Sequence, residues 1–104
     1  MRLTWRPQAT QERTDAIDYI AEDNLSAALG QLDRIEEQTD MLLQQPKLGR
    51  VGRVKGTREL VISRTPFIVI YRLQGTQHVE ILRLLHGSQQ WPPAAAPTKK
   101  GKRK

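Results

Sequence analysis

Leu3 and Trp5 alternate with Arg2, Thr4 and Arg6 at the start of the chain, a period of two that predicts a short first strand, ended by Pro7. From about residue 8 to 22 the period changes. Ala9, Arg13, Ala16, Ile17 and Ile20 recur at three- and four-residue steps, which predicts a helix with one inward stripe. Glu12, Asp15, Asp18 and Glu22 fall on its other faces. Asp23-Asn24 interrupts the pattern, and Asn24 suits the N-cap of a second helix from about Leu25 to Gln44. The stripe of that helix is Ala28, Leu32, Ile35, Thr39 and Leu42, with Leu25, Leu29 and Leu43 widening it. Gly30 is a place where the two helices are expected to approach closely. Pro46 ends the second helix, so a helical hairpin is expected.

Residues 47–56, rich in glycine and cations, read as a loop with a short extended piece. β signals then dominate. Thr57 to Ser63 contains Leu60, Val61 and Ile62, and Thr65-Pro66 marks a turn. Phe67 to Leu73 is almost continuously apolar and rich in β-branched and aromatic residues, so it is expected to be the central strand, buried on both faces. Gln74-Gly75-Thr76 is a hairpin turn into a last strand from Val79 to Leu85. The fold class is therefore α+β: an N-terminal strand, an antiparallel helical hairpin, then a β-meander. Helices on one sheet face would leave the other for function.

The 104 residues suit one domain, placed at 1–92, followed by a basic tail at 93–104 with nothing to bury and expected to be disordered. The chain has no cysteine, which excludes disulfides and thiolate metal sites. It has no apolar run near the ~20 residues that span a bilayer and no secretory h-region, so it reads as cytoplasmic and off the membrane. The net charge of +6 changes the picture only when it is divided. Residues 1–40 set four arginines against nine acids, −5; residues 41–98 set eight cations against Glu59 and Glu80, +6; the last six residues add +5. The positive field belongs to the sheet half and draws polyanions or acidic proteins.

Several segments together resemble the RelE/ParE toxin superfamily. They are Gly56-Thr57-Arg58-Glu59-Leu60-Val61-Ile62, Thr65-Pro66 with Phe67-Ile68-Val69-Ile70-Tyr71-Arg72, Val79 to His86-Gly87, and Gln90-Trp91-Pro92. Trp5, the acidic first helix, the Asn24-led second helix, Pro46 and Gly49-Arg50 agree, so the resemblance covers about residues 1–92. It implies a helical hairpin on a twisted, mostly antiparallel sheet. It also implies a growth-inhibiting toxin of a type II toxin–antitoxin (plasmid stabilisation or stress) module, neutralised by a cognate antitoxin through which oligomers assemble. Two mechanisms coexist in that superfamily: ParE-like inhibition of DNA gyrase, and RelE-like cleavage of mRNA in the ribosomal A site.

Metal-free RNA cleavage needs a base, an acid and cations around the phosphorane. The candidates for such an mRNA interferase are His86 at the end of the last strand, Glu59 as the carboxylate base and the one carboxylate in residues 41–79, and Arg58 and Arg83 as cations. Arg83, three residues before His86, is expected on the opposite face. Extra histidine, aspartate or arginine before the central strand is part of the nuclease patterns, and Val61, Thr65, Pro66 and Phe67 stand there instead; Gly87 replaces a tyrosine after the histidine. The incomplete set favours gyrase over the ribosome as target. A non-toxic basic nucleic-acid-binding module is the third reading. Arg50, Arg53, Lys55, Arg64 and Arg72 are the candidate nucleic-acid contacts, and Trp91 is a candidate partner-facing anchor. Arg58-Glu59 is a candidate ion pair, His78 is expected to be solvated, and Trp5 belongs to the core. No cofactor and no metal is expected from two distant histidines and two scattered acids. The antitoxin segment is expected to be disordered when free, amphipathic and net acidic, wrapping the basic sheet half and the apolar groove beside the helices.

Overall fold

The computed structural model describes residues 1–93, and the basic tail expected from residue 93 lies, Pro93 apart, outside the described residues. The elements run β1 (Arg2–Trp5), α1 (Pro7–Asp23), α2 (Leu25–Asp40), a 3-10 turn (Met41–Leu43), β2 (Arg50–Val51), β3 (Arg58–Val61), β4 (Phe67–Gln74) and β5 (His78–His86). The α+β architecture is the expected one. The strand order is β1-β5-β4-β3-β2, with β1 parallel to β5 and the other pairs antiparallel. The apolar Phe67–Leu73 run thus occupies the centre of the sheet.

Local chemistry explains the breaks. Pro7 is the first residue of α1, where its missing N–H costs nothing. Asn24 serves both helices: its N–H closes α1 on the Ile20 carbonyl, and its Oδ1 accepts from the Ala27 N–H at 3.0 Å. One face of the sheet packs on the hairpin through Val69, Tyr71, Val79, Ile81 and Leu84 against Ala9, Ile35 and Leu42. Trp5 packs against this cluster and carries the Arg13 guanidinium 4.4 Å above its ring. A bulge at Ile70/Tyr71 shifts the β4–β5 register, so that Ile70 lies opposite Arg83 and Tyr71 opposite Ile81.

Four local expectations are corrected. The α-helical part of α2 stops at Asp40 and finishes as a tighter turn through Leu43. Leu25 and Leu29 do not widen the buried stripe; they are 62% and 51% exposed, because the hairpin turns only its Ala28–Ile35–Thr39–Leu42 edge to the sheet. A Cβ on Gly30 would meet only the end of Arg34 at 3.7 Å, so this glycine is not a point of close helix approach. His78 is not simply solvated; its Nε2 lies 2.7 Å from the Thr4 hydroxyl and ties β5 to β1.

Candidate functional site

The cations of the sheet half are mostly committed to the protein itself. Glu59, at the middle of β3, is 3% exposed. Arg50 reaches its Oε1 with Nε at 3.2 Å and Nη2 at 2.9 Å, and the Arg53 N–H donates to its Oε2 at 3.0 Å. Burial alone would raise the Glu59 pKa. The Arg53 N–H, the Arg50 hydrogen bonds and both arginine charges outweigh that, and the carboxyl stays below its ordinary range. Glu59 is therefore a satisfied anion at the root of the 47–56 loop, with both oxygens occupied. Arg58 forms no ion pair with it; adjacent strand residues point to opposite faces. Instead Arg58 donates to the Gly49 carbonyl at 2.8 Å and holds the same loop. Tyr71 pins the loop from below, donating to the Pro46 carbonyl at 2.8 Å and accepting from the Gly49 N–H at 2.9 Å. Its burial raises the phenol pKa, against smaller opposing effects of that N–H and of Arg58.

The network continues along the sheet. The Arg53 guanidinium donates to the Trp91 carbonyl at 3.0 Å, and the Arg83 guanidinium lies 5.3 Å from the Trp91 ring centre. Trp91 is partly buried by these contacts within its own chain. Arg83 also pairs with Glu12 of α1 at 2.6 Å, and the other Glu12 oxygen accepts from the Leu84 N–H at 3.0 Å. β1 ends at Trp5, opposite Ile81, so the rim of β5 beyond it is free to take a side chain from α1. Arg72 pairs with Glu80 at 2.7 Å, and Arg6 meets the same carboxylate at 3.5 Å. Lys55 and Arg64 are exposed, Arg64 on a tight turn with φ 62°. Among the nucleic-acid candidates, then, Lys55 and Arg64 make no ion pair among the described residues, whereas Arg50 and Arg72 do.

His86 stands apart from this network. Its ring meets Phe67 edge-on at 6.2 Å, and its Nδ1 accepts from the Ser88 N–H at 3.1 Å. The Ser88 hydroxyl lies 2.7 Å from the same nitrogen. His86 lines a cleft of about 450 Å³ bounded by α1, α2 and the ends of β4 and β5. Glu59 and Arg58 are two strands away on β3. With Glu59 in the row of Ile70 and Arg83, its separation from His86 is on the order of 14 Å. Arg83 and His86 are three residues apart on β5, beyond the bulge, and point to opposite faces, as the spacing implies. The four nuclease candidates do not converge on one point.

Sequence reasoning missed three residues of consequence. Glu12 appeared only as one acid of a solvated helix face; its partners lie 71 and 72 positions away and leave no local signal. Tyr71 reads as a core residue, and only the fold brings its hydroxyl under the Pro46–Gly49 loop. Gln31 lines the His86 cleft with a buried Oε1 that has no hydrogen-bond partner among the described residues.

Comparison with known proteins agrees with this frame. Residues 3–91 match the family described as ParE toxin of type II toxin-antitoxin system, parDE. A Sinorhizobium fredii protein named "Putative toxin Y4kP" is 40% identical over 91 residues, covering 88% of this chain and 93% of that protein. A solved chain of the chromosomal ParDE TA system from P. aeruginosa superposes with a TM-score of 0.72 at 29% identity, covering 83% of this chain and 95% of that one.

Proposed function

Because this chain belongs to the ParE toxin family of type II toxin–antitoxin systems, we propose that it arrests growth by binding DNA gyrase and that a cognate antitoxin neutralises it. The observation that carries the choice of target is the dispersal of the nuclease candidates. Glu59 is saturated by Arg50 and Arg53, Arg83 is held by Glu12, and His86 stands on the other sheet face from Arg83. Phosphoryl transfer without a metal needs its base, acid and cations around one phosphate. A protein that acts by occupying a target needs only a surface.

The test is a supercoiling assay with purified gyrase and relaxed plasmid, run beside programmed ribosomes. The expected outcome is loss of supercoiling, intact mRNA in the A site, and unchanged potency in His86→Ala. A-site cleavage that disappears in His86→Ala would instead establish the ribosome-dependent nuclease. That second reading draws on one observation, the position of His86 in a cleft that also holds Glu12 and Asp15. Growth unaffected by expression of the free chain would leave the non-toxic module.

A further inference from the structure

β2 is the last strand on its side of the sheet. The stretch from Lys47 to Arg64, which holds β2, β3 and the turns around them, carries six cations and one carboxylate, Glu59. Lys47, Arg50, Arg53, Lys55 and Arg64 are exposed there, and Arg58 is partly buried. Arg50 is neutralised by Glu59, the one ion pair of this stretch among the described residues.

The bonds that hold the other two arginines do not cancel their charge. Arg58 donates through Nη1 to the Lys47 and Gly49 carbonyls, and Arg53 through Nη1 to the Trp91 carbonyl. A carbonyl oxygen orients a guanidinium but has no net charge, so the positive field survives. The donors on Nε and Nη2 of both residues take no part in these bonds and are left for an anion. A fork fixed beforehand also loses less entropy when the anion arrives.

Lys55 and Arg64 stand on two closed turns. The Thr57 N–H donates to the Val54 carbonyl at 3.1 Å and the Thr57 hydroxyl to the same oxygen at 2.6 Å, which closes the turn bearing Lys55. The Thr65 N–H donates to the Ile62 carbonyl at 3.2 Å, which closes the turn bearing Arg64. β3 lies between these turns, so the two cations stand roughly 20 Å apart along the edge. Duplex DNA presents on the order of ten phosphate charges over that length. The hairpin half, with nine acids against four arginines, turns a polyanion away and towards this edge. The Trp91 carbonyl held by Arg53 lies two residues before Pro93, so the five cations of residues 99–104 are tethered beside the same loop.

We infer that this edge binds the phosphate backbone of duplex DNA, with Lys47, Arg53, Lys55 and Arg64 as the contacts. The choice of DNA among polyanions rests on the gyrase reading above, since DNA is what gyrase acts on; the array of uncancelled charge belongs to the edge itself. Phosphate contacts position without reading bases, so the binding is independent of sequence.

The experiment measures fluorescence anisotropy of two unrelated 20-base-pair DNA duplexes titrated with the full chain across a range of salt. Equal affinity for both duplexes is expected, falling steeply as salt rises. Lys55→Gln combined with Arg64→Gln is expected to weaken binding about tenfold and to make the slope of log K against log salt shallower by about 2. Arg2→Gln combined with Arg34→Gln removes the same charge from β1 and α2 and is expected to leave affinity within about twofold. No binding at low salt, unchanged affinity in the edge variant, or an equal loss in the matched control would overturn the inference. So would tighter binding of an RNA duplex of the same length or of polyglutamate, which would assign the edge to another partner. Gyrase is absent from this measurement, so failure of the gyrase reading in the supercoiling assay and failure of this inference are told apart.

Discussion

The Glu59 cluster and the His86 cleft are both rich in charge, yet one is closed and the other open. Around Glu59 each carboxylate oxygen has a donor, and Arg50, Arg53 and Arg83, read from the sequence as nucleic-acid contacts or a nuclease cation, hold a loop, a tryptophan and an α1 carboxylate. Along the cleft, among the described residues, Asp15 makes no ion pair and one Gln31 amide oxygen has no donor. A count of arginines measures neither. Unused polar capacity and exposed apolar area occur in both regions: the Gln31 amide oxygen and Tyr19 in one, the Trp91 indole N–H, unpartnered among the described residues, and Val51, 75% exposed, in the other.

The contrast is open to direct attack. The largest effect is expected from Glu59→Ala, which strands Arg50 and the Arg53 N–H and should lower unfolding free energy by about 2 kcal/mol, read from urea denaturation. The exposure of Arg50 keeps the loss below that of a fully buried pair. The same carboxylate gives a pH signature. Its pKa is lower folded than unfolded, so its contribution is present above the ordinary value of 4.5 and is lost as pH falls through the folded value. The wild type should therefore lose stability in acid more steeply than Glu59→Gln. Parallel acid profiles would show that Glu59 is no electrostatic anchor.

Gly49→Ala is expected to cost about 1–2 kcal/mol. A Cβ there would stand 2.7 Å from Tyr71 Cε1 and 2.8 Å from the Glu59 carbonyl oxygen, so loop and tyrosine would have to separate. A thermal melt close to that of the wild type would mean the loop is free to move and the closed region is looser than described.

Glu12→Gln is expected to cost about 1 kcal/mol, because the amide retains an acceptor but loses the charge that meets Arg83. Amide exchange at Leu84 should quicken, and unaltered exchange would detach α1 from the rim of β5. The smallest effect is expected on the outer face of α2. Leu29→Gln should change stability by less than about 0.5 kcal/mol, since the side chain is half exposed. A loss of 2 kcal/mol or more would mean that Leu29 is core.

Periodicity alone located the two helices, the central Phe67–Leu73 strand and the hairpin into β5, because helix and strand stripes follow from local geometry. The cap at Asn24 was equally legible, since asparagine acts through its own backbone neighbourhood, whereas the α-helix ends at Asp40, before the stop expected from Pro46. The sequence also determined the division of charge between the halves. It could not show that Leu25 and Leu29 face solvent, because a helix wider in apolar residues than its contact edge looks the same as one fully buried. Nor could it pair Glu12 with Arg83, Arg50 with Glu59, or Tyr71 with the Pro46–Gly49 loop. Those contacts depend on strand order and on a bulge in the β4–β5 register, and only the folded chain decides which charges are spent on one another and which remain for a partner.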